Sequence, residues 1–282
     1  MISIIILNYN TFELTCQCIH SIYAQTKGVE FEIILVDNAS TECNPDKFLE
    51  IFPQIKLIKN TENRGFSRGC NDGINHAKGD FILLLNSDTV LLNDAISIVH
   101  DFLVKNANVG IATCRLENSD TTPQNICSRF IRIKWILLEI SRLFKLLNKK
   151  KRGEVLLGNF FDYENIVFPD WVWGAFFMFP KSLLQVYPEN KLPETFWMYV
   201  EDVEWCWLAR KAGYKVAFIP DGRVLHFGGG DAHTDNTRKM MDENFKKFYE
   251  IYYGKFYKVL ILFLLKLLQF SQIHKNRQNN SL

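Results

Sequence analysis

The chain has no apolar run long enough to cross a bilayer. The late run from Val259 to Leu265 is closed off by Lys258 and Lys266, far short of the ~20 residues a spanning helix needs. Nor does a secretory leader open it, because "MISIIILNYN" lacks a basic start and is broken by Asn8, so it reads as a first strand. A strong charge of either sign is also missing; a net +2 gives no whole-protein reason to expect a nucleic-acid partner. Paired cysteines are missing too. The seven thiols at 16, 18, 43, 70, 114, 127 and 206 are odd in number and have no metal-ligand spacing, which points to free thiols in a reducing compartment. "CQCIH" (Cys16 to His20) lies in a helical stretch, where residues two apart face different ways.

What is present is core. Of 282 residues, 48% are hydrophobic and 14% aromatic, which argues against extended disorder and allows one large domain, with or without an appendage. The first 115 residues alternate strand and helix: "SIIIL", a helix near Leu14 to Ala24, "FEIILVD", a helix near Asp46 to Ile51, "IKLIK", a helix near Ser67 to Ala77, then "FILLL". That alternation predicts an α/β fold with a mostly parallel sheet flanked by helices. "FILLL" carries no polar alternation, so it reads as a strand buried on both faces, and it stops abruptly at Asn86, Ser87 and Asp88. Each strand ends in polar residues, and the ends together assemble one polar edge where open α/β sheets bind ligands. The plain alternative is that Asn86 to Asp88 form a turn, with Asp88 capping a helix from about Asn93.

Between Ile131 and Arg152 eight Lys or Arg accompany one acid, Glu139, and Ile133, Ile136, Leu137, Ile140, Phe144 and Leu147 fall on one helical face. A basic amphipathic helix of this kind suits a membrane surface or packs its apolar stripe on the core. After Asp170 come "WVWGAFFMFP" and "ETFWMYVEDVEWCWLARKAGY", where carboxylates sit among aromatics and need a reason.

Taken in order, "NYN", "LVDNAS", "NRGFSRGCNDGI", "LLLNSDT", "WGAFFMFP", "YVEDVEWCWLARKAGY" and "VLHFGGG" resemble the family 2 glycosyltransferases, inverting nucleotide-sugar enzymes of GT-A fold, and most closely their rhamnosyltransferase-like branch. The resemblance runs over residues 1–230. It implies a GT-A domain there, with a nucleotide-sugar-binding half at 1–115 and an acceptor and catalytic half at 116–230, followed by an amphipathic helical tail at 231–282. It sets Asn8, Tyr9, Asp37 and Asn38 beside the nucleotide's base and ribose, and Arg68 and Asn71 beside base and diphosphate. Gly65 and Gly69 permit close backbone approach, and a helix N-terminus with an Arg suits an anion. Asn86, Ser87 and Asp88 stand where the family has its DXD motif, so Asp88 holds Mg²⁺ or Mn²⁺. Asn86 replaces the motif's first Asp and acts directly or through a metal-bound water. His226 stands where many members supply another metal ligand. Of the pair Glu201 and Asp202, the Asp is implied to deprotonate the acceptor hydroxyl and the Glu to hydrogen-bond acceptor or sugar, with Trp197, Tyr199, Trp205 and Trp207 as an enclosure that raises the Asp202 pKa. Arg210 is expected to pair with one of these acids. Gly174 and Ala175 pass beneath the donor sugar, and Trp171 and Trp173 either stack on a sugar or belong to the core.

The reaction so implied moves a sugar, with L-rhamnose from dTDP-rhamnose as the leading donor, to a lipid-linked or oligosaccharide acceptor in bacterial surface-polysaccharide synthesis. It places the protein on the cytoplasmic face of the cell membrane and leaves a homodimer open. The rivals are the same fold using a UDP-hexose, a hydrolase, and a non-catalytic glycan- or nucleotide-binding subunit.

Overall fold

The computed structural model describes residues 1–141, 143–228 and 234–279. Arg142 of the basic segment, Gly229 and Gly230 of "VLHFGGG", and 231–233 and 280–282 of the tail lie outside the described residues. The first half runs β1 (Ile2–Asn8), α1 (Phe12–Gln25), β2 (Phe31–Asp37), α2 (Lys47–Ile51), β3 (Lys56–Lys59), α3 (Gly65–Ile74), β4 (Phe81–Asn86), β5 (Thr89–Leu91), α4 (Ala95–Lys105) and β6 (Val109–Glu117). The second half runs β7 (Cys127–Ser128), α5 (Ile133–Ile140), α6 (Lys149–Leu156), β8 (Trp171–Val172), β9 (Phe176–Pro180), α7 (Glu201–Lys211), β10 (Lys215–His226), α8 (Asp235–Tyr253) and α9 (Lys255–Asn279).

Eight strands make one mixed sheet in the order β3-β2-β1-β4-β9-β6-β10-β5. The first four are parallel, as their continuous apolar runs require. β9 then inserts antiparallel between β4 and β6. Ile82 to Leu85 are buried on both faces, so the strand holding the Asn86–Asp88 turn is a rigid central one. "KVAFIP" and "RVLH" form a single strand, β10, whose register with β6 shifts between Ile219 and Arg223.

Helix α3 sits unusually close to the sheet. A Cβ on Gly69 would lie 2.4 Å from Leu7 Cδ1, and one on Gly73 would lie 2.4 Å from Ile5 Cγ2. Gly69 therefore serves helix-to-sheet packing rather than approach to an anion. The plain capping role for Asp88 also fails. Asp94 caps α4, accepting from the Ser97 N–H at 3.2 Å, and also takes the N–H groups of Lys27 and Gly28.

The basic segment does not form one amphipathic helix. It breaks into α5, a 3₁₀ turn at Leu143–Leu146, and α6. Of its apolar stripe Ile136 is buried, while Leu137 and Ile140 are exposed. Helix α8 buries Phe248 and Tyr249 on the core, against Phe130 and Trp207. Among the described residues no helix is long and apolar enough to cross a membrane.

Candidate active site

The polar edge exists, and its centre is the turn after β4. Asp88 and His226 are both nearly buried there, with Asp88 Oδ1 3.4 Å from His226 Nε2. β10 and β5 pair antiparallel with His226 opposite Thr89, which carries the histidine to the turn. The Asn86 amide nitrogen lies 3.4 Å from the same Nε2. Ser87 shares a hydrogen bond of 3.0 Å with Thr11. Beneath the turn, Cys18 Sγ faces the Asn86 carbonyl at 3.7 Å, and burial pushes its thiol up to about 12, too high for a thiolate ligand. A carboxylate oxygen and an imidazole nitrogen converging in a dry pocket suit a divalent cation. Among the described residues no cluster of three or more His, Cys, Asp or Glu could hold a metal alone. Asp88 and His226 could therefore offer two ligands at most, and a cation there would need further oxygens from elsewhere to complete its shell.

On the nucleotide side, the expected residues come together but in different roles. Asp37 is 1% exposed, takes the Asn8 amide at 2.7 Å and the Ser40 N–H at 3.0 Å, and so shapes the loop after β2. Tyr9, at 46% exposure, stands free on the rim. Asn38 is a buried bracket. Its amide donates to Asn63 at 2.8 Å, and its carbonyl accepts from Asn60 and the Arg64 N–H. The start of α3 is already occupied, because the N–H groups of Arg64, Gly65 and Phe66 go to Asn38, Asn63 and the Trp197 carbonyl. That end of the helix offers no ready anion cradle. Gly65, at φ +77°, has its Cβ position 2.4 Å from the Trp197 carbonyl oxygen, so only glycine fits. Asn71 does not face a nucleotide. Its amide donates to the Leu192 carbonyl at 2.8 Å and to Glu194 at 2.9 Å, while its carbonyl takes the Leu192 N–H. Arg68 is half exposed and pairs with Glu194 at 3.3 Å.

Asp202 opens helix α7. Its Oδ1 accepts the Val203 N–H at 2.8 Å and its Oδ2 the Gly174 N–H at 3.1 Å. Burial raises its pKa from 3.8 to about 6, with those N–H bonds pulling the other way. Glu201 beside it is pushed well above the carboxylate range by burial first and the neighbouring Asp202 and Glu204 charges next, and one of its oxygens is buried without a partner. Both carboxylates are thus held above their ordinary range by burial, Glu201 with the charges of its acidic neighbours added and Asp202 against two N–H bonds, so the two acids stand in different environments, as an acid and base pair requires. Ala175, the residue after Gly174, accepts the Asn86 N–H at 3.0 Å. Two consecutive residues thus link the Asn86–Asp88 turn to Asp202.

The aromatic enclosure is only partly realised. Trp205 is fully buried against Phe66 and Phe177. Trp207 turns away onto Phe130, Phe248, Tyr252 and Tyr253. Trp197 and Trp173 are exposed at the site, whereas Trp171 packs on Phe245. Arg210 pairs with Asp170 at 3.0 Å rather than with Glu201 or Asp202. Eight residues along a helix is about 12 Å, too far to return.

Sequence reasoning missed three residues. Asp170, besides Arg210, accepts the Phe130 N–H at 3.0 Å. Asn244 of α8 donates to the Met198 and Tyr199 carbonyls at 2.9 and 3.0 Å. That bracing matters because Tyr199 and Val200, directly before Glu201, both have positive φ, at 63° and 74°, a strained state for a β-branched residue. Gln124 reaches His226 from the loop after β6, with its Oε1 2.7 Å from Nδ1. No spacing in the sequence marks any of the three.

Comparison with known proteins gives a family and a fold. The profile "Glycosyl transferase family 2" matches residues 3–164. The chain is 34% identical over 110 residues to a poly(ribitol-phosphate) beta-glucosyltransferase of Bacillus spizizenii, covering 37% of this chain and 17% of that protein. It is 25% identical over 260 residues to the low-salt glycan biosynthesis hexosyltransferase Agl10 of Haloferax volcanii, covering 89% of this chain and 72% of that one. Its fold superposes on the mannosyltransferase PcManGT from Pyrobaculum calidifontis, solved with GDP-Man and Mn²⁺, with a TM-score of 0.55 at 18% identity, covering 81% of this chain and 58% of that chain. Four of the curated relatives are spanned over only 17%, 60%, 27% and 42% of their own length. The architecture is that of a GT-A glycosyltransferase.

Proposed function

Because the chain belongs to glycosyl transferase family 2, we propose that it transfers a sugar from a nucleotide donor to a lipid-linked or oligosaccharide acceptor, with inversion, in bacterial surface-polysaccharide synthesis. The observation that carries this reading is Asp202, a carboxylate with a pKa raised to about 6, tied through Gly174 and Ala175 to the Asn86–Asp88 turn. Asp202 takes the proton from the acceptor hydroxyl as its oxygen bonds the anomeric carbon, and the bond from that carbon to the diphosphate oxygen breaks on the opposite face. Glu201 beside it hydrogen-bonds acceptor or sugar. Tyr9 and the loop braced by Asn8, Asp37 and Asn38 receive the base and ribose. Asp88 and His226 would hold a Mg²⁺ or Mn²⁺ ion, with Asn86 beside them, and that ion, when bound, neutralises charge on the departing diphosphate. Mn²⁺ in the mannosyltransferase supports this choice.

The branch resemblance makes dTDP-L-rhamnose the first donor to test. The glucosyl- and hexosyltransferase names of two relatives favour a second reading, a UDP-hexose donor. A panel of nucleotide sugars, read by nucleotide release and by the anomeric configuration of the product, separates them. Donor binding without turnover on any member would replace both with a non-catalytic binding subunit.

For location, α5 and α9 pack together, and Leu137 of α5, Leu143 and Leu146 of the 3₁₀ turn after it, and Phe256, Val259 and Phe263 of α9 are exposed. Lys149 to Arg152 follow at the start of α6. Exposed apolar side chains in these segments, with a basic cluster following the 3₁₀ turn in sequence, support peripheral attachment to the inner leaflet.

A further inference from the structure

We infer that Gln124 is a positioning residue that holds His226 in the tautomer protonated on Nδ1, so that the Nε2 lone pair faces Asp88. The inference rests on the reading of His226 as a cation ligand, and it goes beyond it by naming what prepares that ligand.

The argument is one of hydrogen-bond polarity. An imidazole offers either nitrogen as donor, and an amide is ambiguous until its neighbours fix it. Here they do. Gln124 Nε2 lies 2.8 Å from the backbone carbonyl oxygen of His226 itself. A carbonyl oxygen only accepts, so the atom facing it must be the NH₂ group and the amide cannot be turned over. Gln124 Oε1 is therefore the atom 2.7 Å from His226 Nδ1. Oε1 has no hydrogen, so Nδ1 must carry a proton, and of the two neutral tautomers this selects the one with the Nε2 lone pair 3.4 Å from Asp88 Oδ1.

An outer chain sets the same polarity independently. The Asp120 carboxylate accepts the Thr122 hydroxyl at 2.5 Å. With its proton so used, the Thr122 oxygen accepts from the Asn118 amide nitrogen at 2.9 Å. Asn118 Oδ1 then faces Gln124 Nε2 at 3.0 Å. From Asp120 inward every bond points the same way, and both routes assign Gln124 one orientation. The backbone holds the loop to match, with the Gln124 N–H on the Leu116 carbonyl at 2.8 Å and the Asn118 N–H on the Thr122 carbonyl at 2.8 Å. Partners of this kind behind a ligating histidine are typically worth about 10 to 100-fold in metal affinity.

The test is made on the full chain with two readouts. Nitrogen-15 correlation spectra of the histidine rings, taken without metal, report the tautomer, and an electron paramagnetic resonance titration with Mn²⁺ alone reports the ligand. In the unaltered protein His226 should show the Nδ1-protonated pattern. Gln124→Leu should shift it toward the Nε2-protonated form and weaken Mn²⁺ binding about 10 to 100-fold. Gln124→Glu loses the donor to the His226 carbonyl and to Asn118 but keeps an acceptor against Nδ1, so it should hold the proton on Nδ1 where Gln124→Leu does not. A wild-type ring protonated on Nε2, or a Gln124→Leu variant with tautomer and Mn²⁺ affinity unchanged while His226→Ala loses Mn²⁺, overturns the assignment. A tautomer that follows Gln124 in a protein whose Mn²⁺ affinity ignores His226→Ala upholds the positioning and removes the ligand role instead.

Discussion

Gly174 gives its backbone N–H to Asp202 Oδ2, and the next residue, Ala175, gives its carbonyl to the Asn86 N–H. Asp202 and the Asn86–Asp88 turn are therefore fixed to each other through the backbone leading into β9. Side chains could not couple them as rigidly, because a single-residue shift in β9 would move both ends together.

Gly174 should be a specificity residue rather than a folding one. A Cβ there would meet Phe66 Cε1 at 3.4 Å and Asp202 Cβ at 3.8 Å, ordinary contacts, and its φ is not in the left-handed region. Gly174→Ala should fold with unchanged or slightly higher stability, by about 0.4–1 kcal/mol from the unfolded chain. The added methyl enters the space beside Asp202, so donor KM should rise by about tenfold, roughly 1.4 kcal/mol. Thermal melts and steady-state kinetics check it; a normal donor KM would show that the donor lies elsewhere.

The base predicts an acid limb in the rate. With the Asp202 pKa raised to about 6, kcat/KM should fall tenfold per pH unit below that value as the carboxylate protonates, and level off above it. Asp202→Asn should lower kcat by about 10² to 10⁴-fold with little change in donor binding. A flat profile between about pH 5 and about pH 8 would move the base to another residue.

Glu201 predicts the opposite trend in stability. Its folded pKa lies well above 4.5, so between those two values the folded state keeps a proton that the unfolded state has released. Stability then falls as pH rises through that window, by about 1.4 kcal/mol per unit for one full proton. Glu201→Gln has no such proton. The stability gap in favour of the variant should widen as pH rises above about 4.5 in urea titrations, and parallel curves would show Glu201 to be ionised in the folded protein.

Asn244 should matter through the backbone it holds. Asn244→Ala strips the donor from two carbonyls in the strained turn before Glu201, costing about 1–3 kcal/mol. It should lower kcat more than donor affinity, since the turn aims Asp202 and not the nucleotide. An unaltered kcat would mean that the packing of Val200 alone suffices to hold the turn.

Much of this site was legible because it is local. The apolar run at 81–85 with its polar stop placed the Asn86–Asp88 turn at a strand end, and the acids of "VEDVE" fell at a helix start. The errors share a physical source: whether a polar group is free depends on partners distant in sequence. Asn71 is consumed by residues near 192, Arg210 by Asp170, and the start of α3 by Trp197. Gln124 and Asn244 are invisible for the same reason, being single polar residues whose partners lie 102 and 46 positions away. The basic segment failed differently. Its spacing was right for a helix, but the chain breaks at Leu143–Leu146 and only Ile136 of the stripe is buried.

That break sharpens the membrane prediction. One continuous helix could have sunk its whole stripe into the core, yet Leu146, in the 3₁₀ turn after α5, and Phe256, at the start of α9, are each 84% exposed. Apolar side chains left outward beside Lys149, Lys150, Lys151 and Arg152 suit a leaflet boundary, where each basic residue contributes about 1 kcal/mol near anionic lipid. Replacing those four by Gln should release the protein from anionic vesicles at moderate salt and leave transfer to a short soluble acceptor intact. Phe256→Ser with Leu146→Ser should weaken binding at any salt, because that part of the attraction is apolar. If the unaltered protein ignores such vesicles at low salt, the exposed face serves a contact between protein chains, and the serine variant should then change the oligomeric state in ultracentrifugation.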